Sequence, residues 1–246
     1  MLVNADIRRW SLIVTLCGSA FAAAHPTTVV AAASAAGIAG RGSCPATLIT
    51  TDTTIGALDF QYDGTETTMV AWKRDHDLAS AMRNSVVWYF QRLAEGLGPE
   101  REREYLRRFA YGNQDVSGPL TQFWLGSSLQ ISPREQLDFL QKFFGNRLPV
   151  SADAARIVRD ILVQPRDHIV NALGEHPMGA PWPAATNVWA KTGAATDKSG
   201  APVTWLVGRI ERGGRGWLFV SCVIGSSDGM AAVNQAGTEL KRRAAL

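Results

Sequence analysis

Residues 187–224 read NVWAKTGAATDKSGAPVTWLVGRIERGGRGWLFVSCVI. Segments rich in β-branched and aromatic residues predict three strands, at 187–192, 203–211 and 216–224. The tetrapeptide RGGR at 212–215 predicts that the last two strands form an antiparallel hairpin. A helix is predicted over 230–245, so this end of the chain is expected to be a strand meander followed by a helix.

Helical patterns dominate the middle of the chain. Apolar residues at helical spacing predict a helix over 78–97, which Gly96 and Gly98 are expected to end. Pro99 then occupies the first turn of a second helix that runs through charged residues to about Ala110. The region is expected to form a helical layer beside the strands.

Two serines are predicted to cap further helices. Ser132 stands three residues before Glu135, the spacing of a capping box, and Ser151 begins a helix predicted over 151–163. Three prolines predict a loop over 174–186. Helices followed by a strand meander and a last helix predict an α+β fold, an α/β/α sandwich.

Bulk properties narrow the class of protein. A chain of 246 residues with 46% hydrophobic residues can bury one sizeable core. A net charge of +3 without a basic, aromatic-interleaved stripe argues against a nucleic-acid partner. The four histidines form no HExxH pair and no Cys/His ligand spacing is present, so no metal is expected.

The first 24 residues have the pattern of a secretory signal peptide. Arg8 and Arg9 precede an apolar run over 10–21 that is too short to span a membrane comfortably, and three alanines at 22–24 suit a cleavage site. We therefore expect a periplasmic or secreted bacterial protein without a stable membrane span.

The segment 25–57 differs from the rest of the mature chain. It is rich in Ala, Thr and Gly, is almost uncharged and lacks clear periodicity, so it is expected to be poorly ordered ahead of one domain over 58–246. Cys44 and Cys222 remain after removal of the signal peptide. Both a disulfide between them and a buried free thiol at Cys222 are open.

Lys191-Thr192-Gly193 closes the first predicted strand of the meander. A lysine there, on a sheet edge beside a cleft, would attract a ligand carboxylate and lower the pKa of neighbouring hydroxyls. An exposed strand end is the alternative. Ser85 lies within the predicted 78–97 helix, where a serine ordinarily bonds back to a carbonyl.

Two further features have equally plain structural interpretations. Tyr111-Gly112-Asn113 follows a predicted helix and could be its C-terminal cap, and Trp124 could be a core aromatic. However, three short motifs follow one another along the chain: Ser85-Val86-Val87, Tyr111-Gly112-Asn113 and Lys191-Thr192-Gly193. Over about residues 58–224, the chain resembles the class D (oxacillinase-type) serine β-lactamases, which have the penicillin-binding transpeptidase-like fold.

The resemblance implies a role for each motif residue. Ser85 would relay a proton to the leaving lactam nitrogen, and Lys191 with Thr192 would hold the substrate carboxylate. Ser85 and Lys191 are thus the candidate catalytic residues. Backbone N–H groups after Gly193, near Ala194–Ala195, would contribute to an oxyanion hole.

The remaining candidate residues would shape the substrate pocket. The resemblance implies that Tyr111 and Asn113 form its floor. Val87 would belong to the apolar cover of the family's carbamylated lysine, and Trp124 would donate its indole N–H to that carbamate.

The family's Ser-x-x-Lys motif, which carries nucleophile and base, is missing. Of the five lysines, Lys241 alone has a hydroxyl residue three positions before it, Thr238, and this pair lies in the terminal helix. Ser34 and Ser43 are the nearest hydroxyls to the expected position, and neither has a base. No nucleophile is identified, and no lysine carbamate or other cofactor is expected.

Two other departures concern the N-terminal region and the last helix. The two N-terminal strands and the central nucleophile helix of the family are expected to be missing or irregular, and 229–238 contains no Arg to face a carboxylate. A frameshift or deletion upstream of about residue 59 would account for the first departure. Reading the upstream DNA for an encoded Ser-x-x-Lys tests that explanation.

These patterns predict a protein of class D β-lactamase descent with impaired hydrolysis. The family reaction is attack of serine on the lactam carbonyl, followed by hydrolysis of the acyl-enzyme. The alternatives are a non-catalytic binder of β-lactams or peptidoglycan stem peptides, and a frameshifted inactive product.

The Thr-rich composition near residues 45–59 yields a stability prediction. Such residues fill a central helical slot poorly, at a cost on the order of several kcal/mol. We expect limited proteolysis to cut within 25–57 while 60–246 stays intact. Cooperative unfolding above about 60 °C, with 25–57 resistant to protease, would contradict this prediction.

Overall fold

The computed structural model describes residues 31–34, 59–179, 182–197 and 199–243, the first range by its backbone alone. These ranges contain a short 3₁₀ helix (Val70–Trp72), six α-helices and six strands. The helices are α1 (Leu78–Asn84), α2 (Val87–Leu97), α3 (Pro99–Phe109), α4 (Pro133–Phe144), α5 (Ala152–Ile161) and α6 (Ala231–Arg242). The strands are β1 (Ala31–Ser34), β2 (His168–Asn171), β3 (Gly174–Pro177), β4 (Thr186–Thr196), β5 (Pro202–Arg212) and β6 (Arg215–Ile224).

The main sheet is antiparallel, in the order β1-β6-β5-β4. The predicted hairpin is confirmed, since Arg212 pairs with Arg215 across the glycine turn. β1 comes from the segment 25–57 and places Ala31 opposite Val220 of β6. The rest of that segment lies outside the described residues, so its predicted poor order stays a prediction.

Helices pack on both faces of this sheet. Alternate residues of β5 point to opposite sides: Trp205 packs with Leu137 and Leu140 of α4, whereas Leu206 packs with Val233 and Leu240 of α6. The predicted α/β/α sandwich is therefore confirmed. A separate aromatic-rich core is formed by the other helices, the segment 59–77 and Phe139 and Phe143 of α4.

The predicted helix starts are present. The Ser132 Oγ atom accepts from the backbone N–H of Glu135 at 3.3 Å, and Glu135 Oε2 accepts from the Ser132 N–H at 2.8 Å, which completes the capping box. Ser151 Oγ likewise accepts from the N–H of Ala154 at 3.1 Å. These side chains satisfy N–H groups that have no partner within the helix.

The prediction of one helix over 78–97 is wrong. The chain breaks at Ser85, whose φ of 51° is left-handed, and α1 and α2 lie on either side. The Val86 N–H donates to Ala81 O and the Ser85 N–H to Met82 O, the bonds of a Schellman motif. Apolar periodicity continues across the break, so the pattern did not reveal it.

The loop predicted over 174–186 is also partly wrong, because β3 pairs with β2 as a hairpin. Pro177 stands at the end of β3, where a missing N–H does not interrupt the pairing of the preceding residues. The predicted signal peptide and Cys44 lie outside the described residues. Cys222 is a buried free thiol in β6, and burial raises its pKa to about 12. None of the helices in the described ranges has the length and hydropathy of a membrane span.

Glu102 of α3 provides a test of stability against pH. Its side chain is fully buried, and neither carboxylate oxygen has a hydrogen-bond partner among the described residues. Burial raises its pKa from 4.5 to about 8, so the folded state holds a proton that the unfolded state loses in this range. The contribution of Glu102 to stability is thus greatest at low pH and falls between about pH 4.5 and 8.

We expect Glu102→Gln, which stays neutral, to remove this loss. From pH 5 to pH 8 the free energy of unfolding of the parent should fall by a few kcal/mol more than that of the variant, on the order set by the pKa shift. Urea denaturation at both pH values measures this. Glu104→Gln, on the exposed side of the same helix, is the control. Parallel pH profiles for parent and Glu102→Gln would contradict the prediction.

Candidate active site

The two candidate catalytic residues meet between the sheet and the helices. The Lys191 Nζ atom donates a hydrogen bond to Ser85 Oγ and another, at 2.8 Å, to the carbonyl oxygen of Thr192. Lys191 is only 3% exposed, so its charge acts in a medium of low effective dielectric constant. The ammonium group would stabilise negative charge on the serine oxygen, the requirement for a hydroxyl that moves protons.

The left-handed turn positions the Ser85 hydroxyl. Trp72 reinforces this turn, because its indole N–H donates to the carbonyl oxygen of Asn84 at 2.8 Å. The Asn84 side chain donates in turn to Ser80 O at 2.9 Å. A non-glycine residue at positive φ costs on the order of 1–3 kcal/mol, and such residues often lie at functional sites.

The backbone groups of alternate residues of β4 point to its outer edge, away from β5. Val188 O accepts from Gln164 N at 2.9 Å, and Ala190 N donates to Leu162 O at 3.0 Å, so both residues point away from β5. Alternation along an antiparallel strand directs the backbone N–H of Ala194 to the same outer side. Of the predicted pair Ala194–Ala195, Ala194 therefore has the orientation that an oxyanion-hole donor needs.

A cleft of about 310 Å³ opens beside these groups. Four predicted residues line it: Ser85, Thr192, Gly193 and Ala194. Sequence patterns missed six others: Met69, Trp72, Asn171, Ala172, Leu173 and Gly229. An exposed leucine such as Leu173, which is 63% exposed, has no distinctive sequence signal, because apolar residues are common on protein surfaces.

Six predicted residues lie outside the described lining of the cleft, and one of them is Lys191, whose side chain is buried. Tyr111 is fully buried and its hydroxyl donates to Gln136 Oε1 at 2.8 Å. Val87 is half-buried in the first turn of α2. Ala195 and Trp124 are also absent from that lining, and Trp124 is buried against Phe123 in an edge-to-face contact with ring centroids 4.9 Å apart.

Asn113, which is also outside that lining, connects two loops. Its Oδ1 atom accepts from Gln130 N and its Nδ2 atom donates to Ser128 O, both at 2.9 Å. Its contacts support the loop that carries Trp124. Within the described ranges, no group of three or more His, Cys, Asp or Glu side chains is arranged to hold a metal ion.

Comparisons with known proteins assign the family. The model of the penicillin-binding protein transpeptidase domain matches residues 45–241, beginning upstream of residue 58. The probable β-lactamase YbxI of Bacillus subtilis is 37% identical over 163 residues, 66% of this chain and 54% of YbxI. The chain spans about half the length of the curated relatives it matches.

Solved structures agree. A class D β-lactamase from Bacillus subtilis aligns with a TM-score of 0.64 and 34% identity, over 76% of this chain and 71% of that one. The C-terminal domain of the Bacillus licheniformis BlaR penicillin-receptor aligns with a TM-score of 0.65 and 27% identity, over 76% and 70%. The chain belongs to the penicillin-binding transpeptidase family, and specifically to its class D serine β-lactamase-like members.

Gly112 gives a test of the motif around Tyr111 and Asn113. Its φ is +51°, and a Cβ atom there would lie 2.1 Å from the carbonyl oxygen of Gln130. Gly214 also has positive φ, +74°, but a Cβ atom would meet nothing within 4 Å. We expect Gly112→Ala to reduce the free energy of unfolding by about 2 kcal/mol or more beyond the effect of Gly214→Ala. Equal losses for the two variants in urea denaturation would show that the close approach is unimportant.

Proposed function

We propose that this protein recognises β-lactams in the cleft beside Ser85 and Lys191, with covalent hydrolysis strongly impaired. The observation that carries the proposal is the contact of Lys191 Nζ with Ser85 Oγ at an open cleft, in a chain that lacks Ser-x-x-Lys. Family membership supports a β-lactam as the ligand class. The alternative ligand is a peptidoglycan stem peptide, which shares an amide backbone and a carboxylate.

Each polar group of the cleft has a task in recognition. The positive charge of Lys191 attracts a ligand carboxylate, and the Thr192 hydroxyl offers it a hydrogen bond. Ser85 Oγ accepts a hydrogen bond from Lys191, and this bond does not use the hydroxyl hydrogen of Ser85. The hydroxyl can therefore rotate to donate to a ligand nitrogen. The outward N–H of Ala194 would bind the lactam carbonyl oxygen.

Hydrolysis needs more than recognition. In the family reaction a serine oxygen attacks the lactam carbonyl, the C–N bond breaks, and water then releases the acyl group. A nucleophile and its base act as a unit, so their loss should reduce turnover by orders of magnitude. Accordingly, no lysine carbamate is proposed for this chain. The alternative is that the chain is a frameshifted product without any activity.

A second candidate is a receptor that binds without turnover. The similarity to the BlaR penicillin-receptor domain favours it, because that relative is named for reception rather than for hydrolysis. In both cases we propose a periplasmic or secreted location, on the basis of the N-terminal signal pattern. Detection of the processed chain in the periplasm or medium, rather than the cytosol, tests this location.

A chromogenic cephalosporin and a penicillin together test the function. We expect hydrolysis slower by orders of magnitude than that by a class D β-lactamase assayed in parallel, no stable acyl adduct by intact-mass spectrometry, and measurable binding by calorimetry. Efficient, saturable hydrolysis would show that another residue serves as nucleophile.

Lys191→Met tests whether the binding occurs in this cleft. Loss of the ammonium group should weaken penicillin binding at least about tenfold, because the carboxylate loses its counter-charge. Lys241→Met, which removes an exposed lysine from α6, is the control for the change in net charge. Equal affinities of the two variants would place the ligand elsewhere.

A further inference from the structure

The β2–β3 hairpin forms one wall of the cleft and is held firmly against β4. Gln164 connects them: its Oε1 atom accepts from Val170 N at 2.9 Å, and its Nε2 atom donates to Ala190 O at 3.0 Å. Ile169 of the hairpin is fully buried. The end of the hairpin therefore has a fixed position relative to Lys191, which follows Ala190.

Asn171 lies at that end and has a defined amide orientation. Its Oδ1 atom accepts from the backbone N–H of Leu173 at 2.8 Å and lies 3.2 Å from His176 Nε2, which can donate to it. Two donors at one end of the amide place the oxygen there and the NH₂ group at the other end. The Nδ2 atom has a contact with Met230 Sδ at 4.0 Å, and a thioether is a weak acceptor.

The apolar residues of the cleft lining determine which ligands the Asn171 NH₂ group would favour. Asn171 lines the same cleft as three large apolar side chains, Met69, Trp72 and Leu173. A donor in an apolar wall favours ligands that present an acceptor and disfavours ligands that leave it unpaired. An amide carbonyl oxygen attached to an apolar group has this chemistry.

We propose that Asn171 is a specificity-determining residue that donates from Nδ2 to the carbonyl oxygen of an acylamino group on the ligand. His176 is a positioning residue, because it holds the amide oxygen. The inference rests on the proposed function and deepens it: the cleft distinguishes N-acylated ligands from those with a free amine.

Asn171→Asp removes the donor and retains an oxygen for Leu173 and His176. Calorimetry with benzylpenicillin, which carries a phenylacetyl amide, and with 6-aminopenicillanic acid, which has the free amine, measures the selectivity. We expect the variant to bind benzylpenicillin at least about tenfold more weakly than the parent. The same change should alter binding of 6-aminopenicillanic acid by no more than about threefold.

Gln122→Glu is the matched control, since it converts an exposed amide into a carboxylate away from the cleft. It should leave both affinities within about twofold of the parent. His176→Leu should reduce the selectivity in the same direction by a smaller factor. Thermal unfolding must show that each variant is folded at the assay temperature.

The outcomes separate this inference from the proposed function. If the parent binds neither compound, the proposed function fails. If the parent binds benzylpenicillin and Asn171→Asp leaves that affinity unchanged, or weakens both compounds by one factor, recognition of β-lactams stands and the role of Asn171 is refuted.

Discussion

The contact between Lys191 Nζ and Ser85 Oγ connects the main sheet with the helical region beside the cleft. Lys191 comes from the sheet, and Ser85 from the break between two helices. A buried ammonium group is costly unless its protons find acceptors, so the fold must bring oxygens to it. The Ser85 hydroxyl and the carbonyl oxygen of Thr192 supply two of them.

This requirement explains two local features of the backbone. The left-handed conformation of Ser85 costs free energy, yet it directs the hydroxyl at the lysine, and the Trp72 indole N–H on Asn84 O helps to hold it. On the sheet side, Gln164 and Leu162 cover the outer edge of β4 as far as Ala190. Beyond that point the strand borders the cleft, which Thr192, Gly193 and Ala194 line.

Local sequence signals predicted the elements that local physics determines. The glycine turn between β5 and β6 and the capping box of Ser132 and Glu135 depend on neighbours a few residues apart, and both were predicted correctly. The break at Ser85 was not, because it lacks a glycine and depends on Trp72 and Lys191, which are distant in sequence. The same holds for Asn171, whose place in the cleft wall follows from the pairing of β2 with β3. The resemblance to a family identified Ser85 and Lys191 as candidate catalytic residues, and the structure shows that their side chains are in contact.

The residues proposed for recognition and those expected for covalent chemistry belong to different segments of the sequence. The groups proposed to recognise a ligand lie on β4, on the turn between α1 and α2 and on the β2–β3 hairpin, all supported by contacts within residues 59–243. The family's nucleophile and base would come from a different segment, upstream of Phe60. Because the contacts of Lys191 with Ser85 and Thr192 require neither of those groups, the loss of Ser-x-x-Lys leaves these contacts intact. The Lys191–Ser85 contact and the cleft beside it are therefore present in a chain that has no Ser-x-x-Lys sequence.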